Sequence, residues 1–321
     1  MEKKIKQTIL KGYDPLLGYA YNSATDLPLK DNEKYTHGLV FIGDRVDCDI
    51  RIAILGGSTS DISYDGSWLR EFHKTLKLKG LNPLLISAAV SGYATTQELM
   101  KLIRDVIPLE VKPDIVISLS GVNDLGFIQA ASPESPTLHK YQKNIGEFIV
   151  KQYGEDKQKN SYFNHKITTN KYTPVGMNNK YAIGKLTNGL KSNLKSQEHW
   201  FQTIRMQKAL CNEFGIQYIS FLQPIFNVGK YNSSDIENAI YQEFLQNHAG
   251  IHKREYQETV SDFYIHARNI VKNNQSFMFD LVDIFENEEN VYLDIRHPNQ
   301  KGNTILAIKI AETITEQKFI H

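Results

Sequence analysis

The sequence predicts a doubly wound parallel sheet covered by helices on both faces, a three-layer α/β/α architecture. Two observations carry that expectation. Apolar runs rich in β-branched residues recur along the chain and are continuous rather than alternating, as strands buried on both faces must be. Between them lie segments of helical periodicity, so strands and helices alternate.

The elements follow in chain order. Residues 1–50 hold aromatic and Gly/Pro-rich pieces such as "GYDPLLGYAYN" and read as an N-terminal extension packed on a core spanning 51–321. The first sheet strand is Arg51–Leu55, "RIAIL". A helix follows with Trp68, Leu69, Phe72 and Leu76 on one side and Gly80 at its end. "PLLIS" (Pro83–Ser87) is the next strand. A helix then carries Leu99, Leu102, Ile103 and Val106, with Pro108 beyond it. "DIVISLS" (Asp114–Ser120) is the third strand. Residues 126–196 are polar and aperiodic and read as an insertion; its aromatics (Tyr153, Tyr162, Phe163, Tyr172, Tyr181) suit a satellite core slightly better than a sugar-stacking surface. "IQYISFL" (Ile216–Leu222) and "FMFDLVDIF" (Phe277–Phe285) supply two more strands, with two helices between them that break near Ala249-Gly250. A last helix follows Asn303.

Composition narrows the function. The 321 residues are 41% hydrophobic and 23% charged, which is globular, and the formal charge of +1 gives no electrostatic case for nucleic acid or an anionic membrane as partner. Two cysteines, Cys48 and Cys211, make neither a disulfide framework nor a metal-ligand spacing and read as small buried residues. The N-terminal apolar run is too short for a signal-peptide core and no segment approaches a membrane span, so a cytoplasmic protein is the expectation. His73, His139, His165, His199, His248, His252 and His266 show no metal-ligand grouping.

The chemistry concentrates at predicted strand ends, the edge where ligands bind such sheets. "RIAILGGSTSD" runs a buried strand into the turn Gly56-Gly57-Ser58-Thr59-Ser60, which alone could cap a helix, bind phosphate or present a nucleophile. It lacks the lysine of a phosphate loop and the dinucleotide glycine fingerprint. Asp294 and His297, three residues apart in "YLDIRHPNQKGN", place a carboxylate where it can orient an imidazole. Such a base activates a hydroxyl like that of Ser58. The N–H of Ser58 at a helix start, the N–H of Gly92 and the amide of Asn123 in "SGVND" are candidate oxyanion donors. Asp124 reads as support for the Asn123 loop. Each piece has a bland reading as a cap or turn; their ordered recurrence at strand ends is what distinguishes the set.

Together these segments resemble the SGNH (GDSL-type) hydrolase superfamily across residues 51–315. The resemblance implies a flavodoxin-like sheet, no metal and no cofactor. It further implies Ser58 as nucleophile, His297 as base, Asp294 as its partner, and Ser58, Gly92 and Asn123 as the oxyanion hole. One position departs: the family's Gly-Asp-Ser reads Gly56-Gly57-Ser58 here. The expected activity is a serine esterase removing a small acyl group such as acetyl from a carbohydrate or other polar substrate. An O-acyltransferase would use the same residues with a sugar hydroxyl in place of water. A catalytically silent binding module would not need all of them.

Overall fold

The computed structural model describes residues 12–14, 17–21, 27–63, 67–125, 196–246, 253–317 and 319. The polar insertion, with its tyrosines and His139 and His165, lies outside them except for Ser196, as do His248, His252 and the break near Ala249-Gly250.

The described strands are β1 (Gly12–Asp14), β2 (Gly18–Ala20), β3 (Glu33–Thr36), β4 (Leu39–Ile42), β5 (Ile50–Gly56), β6 (Pro83–Ser87), β7 (Ile115–Ser120), β8 (Gln217–Leu222) and β9 (Met278–Asp280). The described helices are α1 (Trp68–Leu78), α2 (Thr95–Lys101), α3 (Ser196–Glu213), α4 (Asp235–Phe244), α5 (Lys253–Lys272) and α6 (Gln300–Glu316). Seven strands form one sheet in the order β3-β4-β6-β5-β7-β8-β9. From β6 to β9 every pairing is parallel. Taken in chain order, that core reads 2-1-3-4-5, the flavodoxin-like arrangement, with its switch point between β5 and β7.

Alternation along the strands separates two apolar layers. Ile52 and Ile54 of β5, Ile117 and Leu119 of β7, and Ile219 and Phe221 of β8 face α1 and α6, where Trp68, Phe72, Leu306 and Ile310 are fully covered. Ala53, Leu55, Val116 and Tyr218 face the opposite layer, with Leu102, Trp200, Ile204, Phe263 and Tyr264.

Three elements differ from the sequence reading. Residues before 50 do more than pack on the core, because β3 and β4 pair antiparallel with each other and β4 pairs antiparallel with β6. β6 would otherwise present an open edge, and the fully buried run "LVFI" of β4 covers it. The "FMFDLVDIF" strand stops at Asp280, whose Oδ1 accepts the Val282 N–H (2.8 Å) and turns the chain; Leu281, Val282 and Phe285 are buried from turns instead. The second helix widens into a π-helix over Leu102–Val106, and its buried face runs through Glu98, Lys101, Leu102 and Val106, so Leu99 is only half-buried and Ile103 is 46% exposed although both share the predicted apolar stripe. Arg104 and Asp105 of that π turn form ion pairs with Asp14 and Lys101. Cys211 is buried and Cys48 is half-buried. Among the described residues no helix is long and apolar enough to cross a membrane.

Leu306 of α6, fully covered in the layer that includes α1, tests that layer. Leu306→Ala is expected to lower unfolding stability by about 2–5 kcal/mol, read as a shifted urea midpoint at unchanged slope.

Candidate active site

The parallel sheet delivers the turn after β5, the loop after β6 and the turn after β7 to one edge. Turns follow Gly56: the Ser60 N–H donates to Gly57 O (3.1 Å) and the Asp61 N–H to Ser58 O (3.3 Å). Ser58 is therefore not at a helix start, since α1 begins only at Trp68. The three hydroxyls of the turn are divided among different partners. Ser60 Oγ accepts from the Trp68 indole N–H (3.1 Å) and Thr59 Oγ1 accepts from Gln223 Nε2 (2.8 Å). Ser58, half-buried, places its Oγ 2.6 Å from His297 Nε2.

His297 arrives from a loop just before α6. That loop is closed by a bridge between Tyr292 and Pro298 and by the Leu293 N–H donating to His297 O (2.8 Å). Asn299 caps α6 by accepting the Gly302 N–H (3.1 Å). Within the loop, His297 Nδ1 lies 2.8 and 2.9 Å from the two carboxylate oxygens of Asp294. Asp294 Oδ1 also accepts the backbone N–H groups of Arg296 (2.8 Å) and His297 (3.0 Å), which orients the carboxylate. An ionised carboxylate only accepts, so Nδ1 carries the ring proton and Nε2 presents its lone pair to Ser58.

The other predicted residues converge on the same edge. Gly92 adopts φ +88°, a left-handed conformation that a side chain would strain, in the loop after β6. Asn123 follows β7, and its Nδ2 donates to Tyr93 O (2.8 Å), beside Gly92. Packing accounts for the glycine at position 57. A Cβ built there would lie 2.1 Å from Asn123 Nδ2 and 3.1 Å from Tyr93 O, so the carboxamide occupies the space an aspartate would need.

Sequence reasoning missed two positioning residues. Gln223, 4% exposed just past β8, donates to Thr59 Oγ1 and to Arg296 O (3.2 Å), joining the serine turn to the Asp294–His297 loop. Asp61, fully buried, accepts the Ser91 N–H (2.5 Å) and the Tyr21 hydroxyl, so it ties the serine turn to the Gly92 loop and to the N-terminal residues. A polar side chain immediately after a buried strand was the available signal for Gln223; Tyr21 left none.

Behind Asn123 lies a buried acidic layer. Asp124 accepts from Thr95 N (3.2 Å) and Thr95 Oγ1 (2.6 Å), and Glu98 Oε2 accepts from Ser118 Oγ (2.7 Å). Burial pushes the Glu98 carboxyl up to about 8, and the nearby Asp124 charge adds to it, against the Ser118 hydrogen bond. Burial likewise raises Asp124 to about 6, against the hydrogen bonds from Thr95. Among the described residues no three His, Cys, Asp or Glu side chains gather as a metal site.

No protein-family model matches the chain, and no curated protein matches it in sequence. Solved structures do. An acetyl xylan esterase is 15% identical, with 83% of this chain and 100% of that one covered at a TM-score of 0.43. An acetylxylan esterase from Geobacillus stearothermophilus is 12% identical, covering 87% and 99% at 0.43. A GDSL-like lipase from Bacteroides thetaiotaomicron is 15% identical, covering 83% and 88% at 0.41.

Two predictions follow from the geometry. On the expectation that Asn123 is an oxyanion donor, Gly57→Ala should push its carboxamide out of place and lower ester turnover by roughly 10²–10³ in a protein with unchanged circular dichroism. The second concerns Glu98, which keeps its proton in the fold up to about 8, whereas an unfolded glutamate releases it near 4.5. Between those values the folded state binds more protons, so this contribution to stability is complete below 4.5 and is lost as pH rises through 8. Urea midpoints measured across that range should fall with pH in the wild type and fall less in Glu98→Gln.

Proposed function

We propose that this chain is an SGNH-type serine ester hydrolase acting on a small acyl group, such as acetyl, carried by a carbohydrate or another polar alcohol. The observation that carries the reading is the continuous chain from Ser58 Oγ through His297 to Asp294, at 2.6 Å and then 2.8 Å. A merely structural serine has no need of a base whose far nitrogen is held by a carboxylate.

In this reading Ser58 Oγ attacks the ester carbonyl carbon while His297 Nε2 takes its proton. Asp294 holds the tautomer and stabilises the imidazolium; it does not itself take the proton. The carbonyl oxygen becomes an oxyanion that accepts from the Ser58 and Gly92 N–H groups and from the Asn123 carboxamide, each such donor contributing about 3 kcal/mol to the transition state. When the tetrahedral intermediate collapses, the bond to the alcohol oxygen breaks and His297 returns its proton to that oxygen. The acyl group remains on Ser58. Water then attacks with His297 again as base, and the acid leaves with Ser58 regenerated.

Hydrolysis of p-nitrophenyl acetate and of an O-acetylated oligosaccharide tests this. Ser58→Ala is expected to lower kcat by at least ~10³ and Asp294→Asn by about 10⁴. Wild-type turnover should not respond to an added oligosaccharide acceptor; acceptor acetylation outpacing acetate release would make transfer the reaction. Equal rates for wild type and Ser58→Ala would overturn the proposal.

A further inference from the structure

Between Asp294 and His297 stands Arg296, whose backbone is fixed on both sides. Its N–H donates to Asp294 Oδ1 (2.8 Å) and its carbonyl accepts from Gln223 Nε2 (3.2 Å). The side chain of this half-buried residue therefore starts from a rigid point, one residue from the imidazole that meets Ser58. It runs to α5, where the guanidinium hydrogen-bonds the Tyr256 side chain. Burial raises the Tyr256 hydroxyl, and the Arg296 charge and hydrogen bond act against that rise; at Tyr264 the same charge again opposes burial. Tyr256, Tyr264 and Ile295 all line a cleft of about 340 Å³, so the cation reaches a residue of the wall that joins this cleft to the histidine loop.

What the guanidinium lacks is a negative partner. Arg70, Arg104, Arg254 and Arg268 each pair with a carboxylate, and Arg268 does so in the cleft wall itself, with Asp280 (2.6 Å) and Asp283 (2.5 Å). Among the described residues no carboxylate forms an ion pair with Arg296. Asp294, two residues away, is committed elsewhere: its oxygens face His297 Nδ1 (2.8 and 2.9 Å), and Oδ1 also takes the two backbone N–H groups. A guanidinium carries five N–H donors in a planar fork that fits the oxygens of a carboxylate or phosphate. One tyrosine hydroxyl uses only part of that capacity. Turning a cation inward without a counter-ion costs hydration that pairing would offset. The position therefore suits an anion that the described residues do not supply.

We propose that Arg296 binds an anionic group, a carboxylate or a phosphate, carried on the alcohol of the ester substrate. The assignment rests on reading Ser58 and His297 as nucleophile and base. In that reaction His297 returns its proton to the departing alcohol oxygen, so the alcohol leaves along the Asp294–His297 loop. The acyl group stays on Ser58, with its oxygen turned toward Gly92 and Asn123. Arg296 belongs to the alcohol side by its place in the loop. A fixed charge there pairs with the substrate away from the reacting bond and selects which ester is bound; a neutral ester reaches the same serine but forgoes the pairing.

Acetate release from 4-acetoxybenzoate and 4-acetoxyphenyl phosphate, each compared with neutral 4-acetoxybenzamide and normalised to its uncatalysed hydrolysis, tests this. Wild type is expected to favour at least one anionic ester in kcat/KM by about tenfold, the scale of one charge-assisted hydrogen bond. Arg296→Met should remove that preference and Arg296→Lys should retain part of it, while added salt should erode it in the wild type. The anion preferred distinguishes a carboxylate-bearing alcohol from a phosphate-bearing one. Absence of any preference in the wild type would overturn the proposal. Equal losses on charged and neutral esters in Arg296→Met would do the same, since they would mark a support for the loop. A loss confined to phenyl hemisuccinate, whose charge lies on the acyl group, would overturn the placement on the alcohol. Equal hydrolysis of every ester by wild type and Ser58→Ala would instead overturn the nucleophile.

Discussion

The carboxamide of Gln223 is the contact on which the arrangement of the candidate site depends. Ser58 and His297 are separated by most of the chain and come from different elements, one from the turn after β5 and the other from the loop before α6. A 2.6 Å approach between them requires those two segments to share a fixed partner. Gln223 donates to Thr59 Oγ1 beside the serine and to Arg296 O beside the histidine, while Tyr264 donates to its backbone carbonyl (2.9 Å). Its own N–H is committed to Ser120 O (2.9 Å), continuing the β7–β8 pairing past the end of the strand. The sheet's register is thereby carried into the distance between His297 and the Ser58 hydroxyl.

Two further buried acids extend the same logic outward. Asp61 binds the Gly92 loop to the serine turn, and Glu237 of α4 accepts the Val291 (2.9 Å) and Tyr292 (3.0 Å) N–H groups at the start of the histidine loop. Burying carboxylates is costly unless each lone pair is occupied. Here several occupying groups are backbone N–H donors from the very loops that need fixing. Desolvation of these acids is thus offset by the ordering of the site. Glu98 behaves differently, since burial, with the Asp124 charge adding to it, favours its protonated form, whereas Asp124 is raised only to about 6 and keeps its charge at neutral pH.

How much of this the sequence discloses follows from range. Continuous apolar runs such as "RIAIL" and "DIVISLS" mark strands β5 and β7 because burial on both faces is written locally in residue type. Ser58, Gly92, Asn123, Asp294 and His297 were legible as a group because parallel topology sends consecutive strand ends to one edge. Gln223, Asp61 and Tyr21 were not, because their roles exist only between segments distant in the chain. Local pattern also misled where a second force acted. The "FMFDLVDIF" run is as apolar as a strand, but the Asp280 side chain captures the Val282 N–H and turns it. The Leu99–Ile103 stripe followed apolar residues alone, whereas the helix turns Glu98 and Lys101 inward, where Ser118 bonds the carboxyl and Asp105 pairs with the ammonium, and Ile103 is left outside.

The glycine at position 57 shows how one missing side chain alters the chemistry available to the others. With no Cβ, the wall beside Ser58 can be filled by the Asn123 carboxamide, whose Nδ2 would collide with even a methyl group there. An acid at that position would place an ionisable group and its hydration next to Ser58; glycine leaves room for a neutral N–H donor instead. Asn123 in turn is held by Tyr93 O, one residue from Gly92, so the carboxamide and the Gly92 loop are coupled through a single hydrogen bond of 2.8 Å. In the proposed mechanism, donors so fixed need not reorganise as negative charge develops, which is the condition under which such groups contribute most to a transition state. Gly57 is therefore best understood as a requirement of the Asn123–Tyr93 contact, which sets the form of the serine turn.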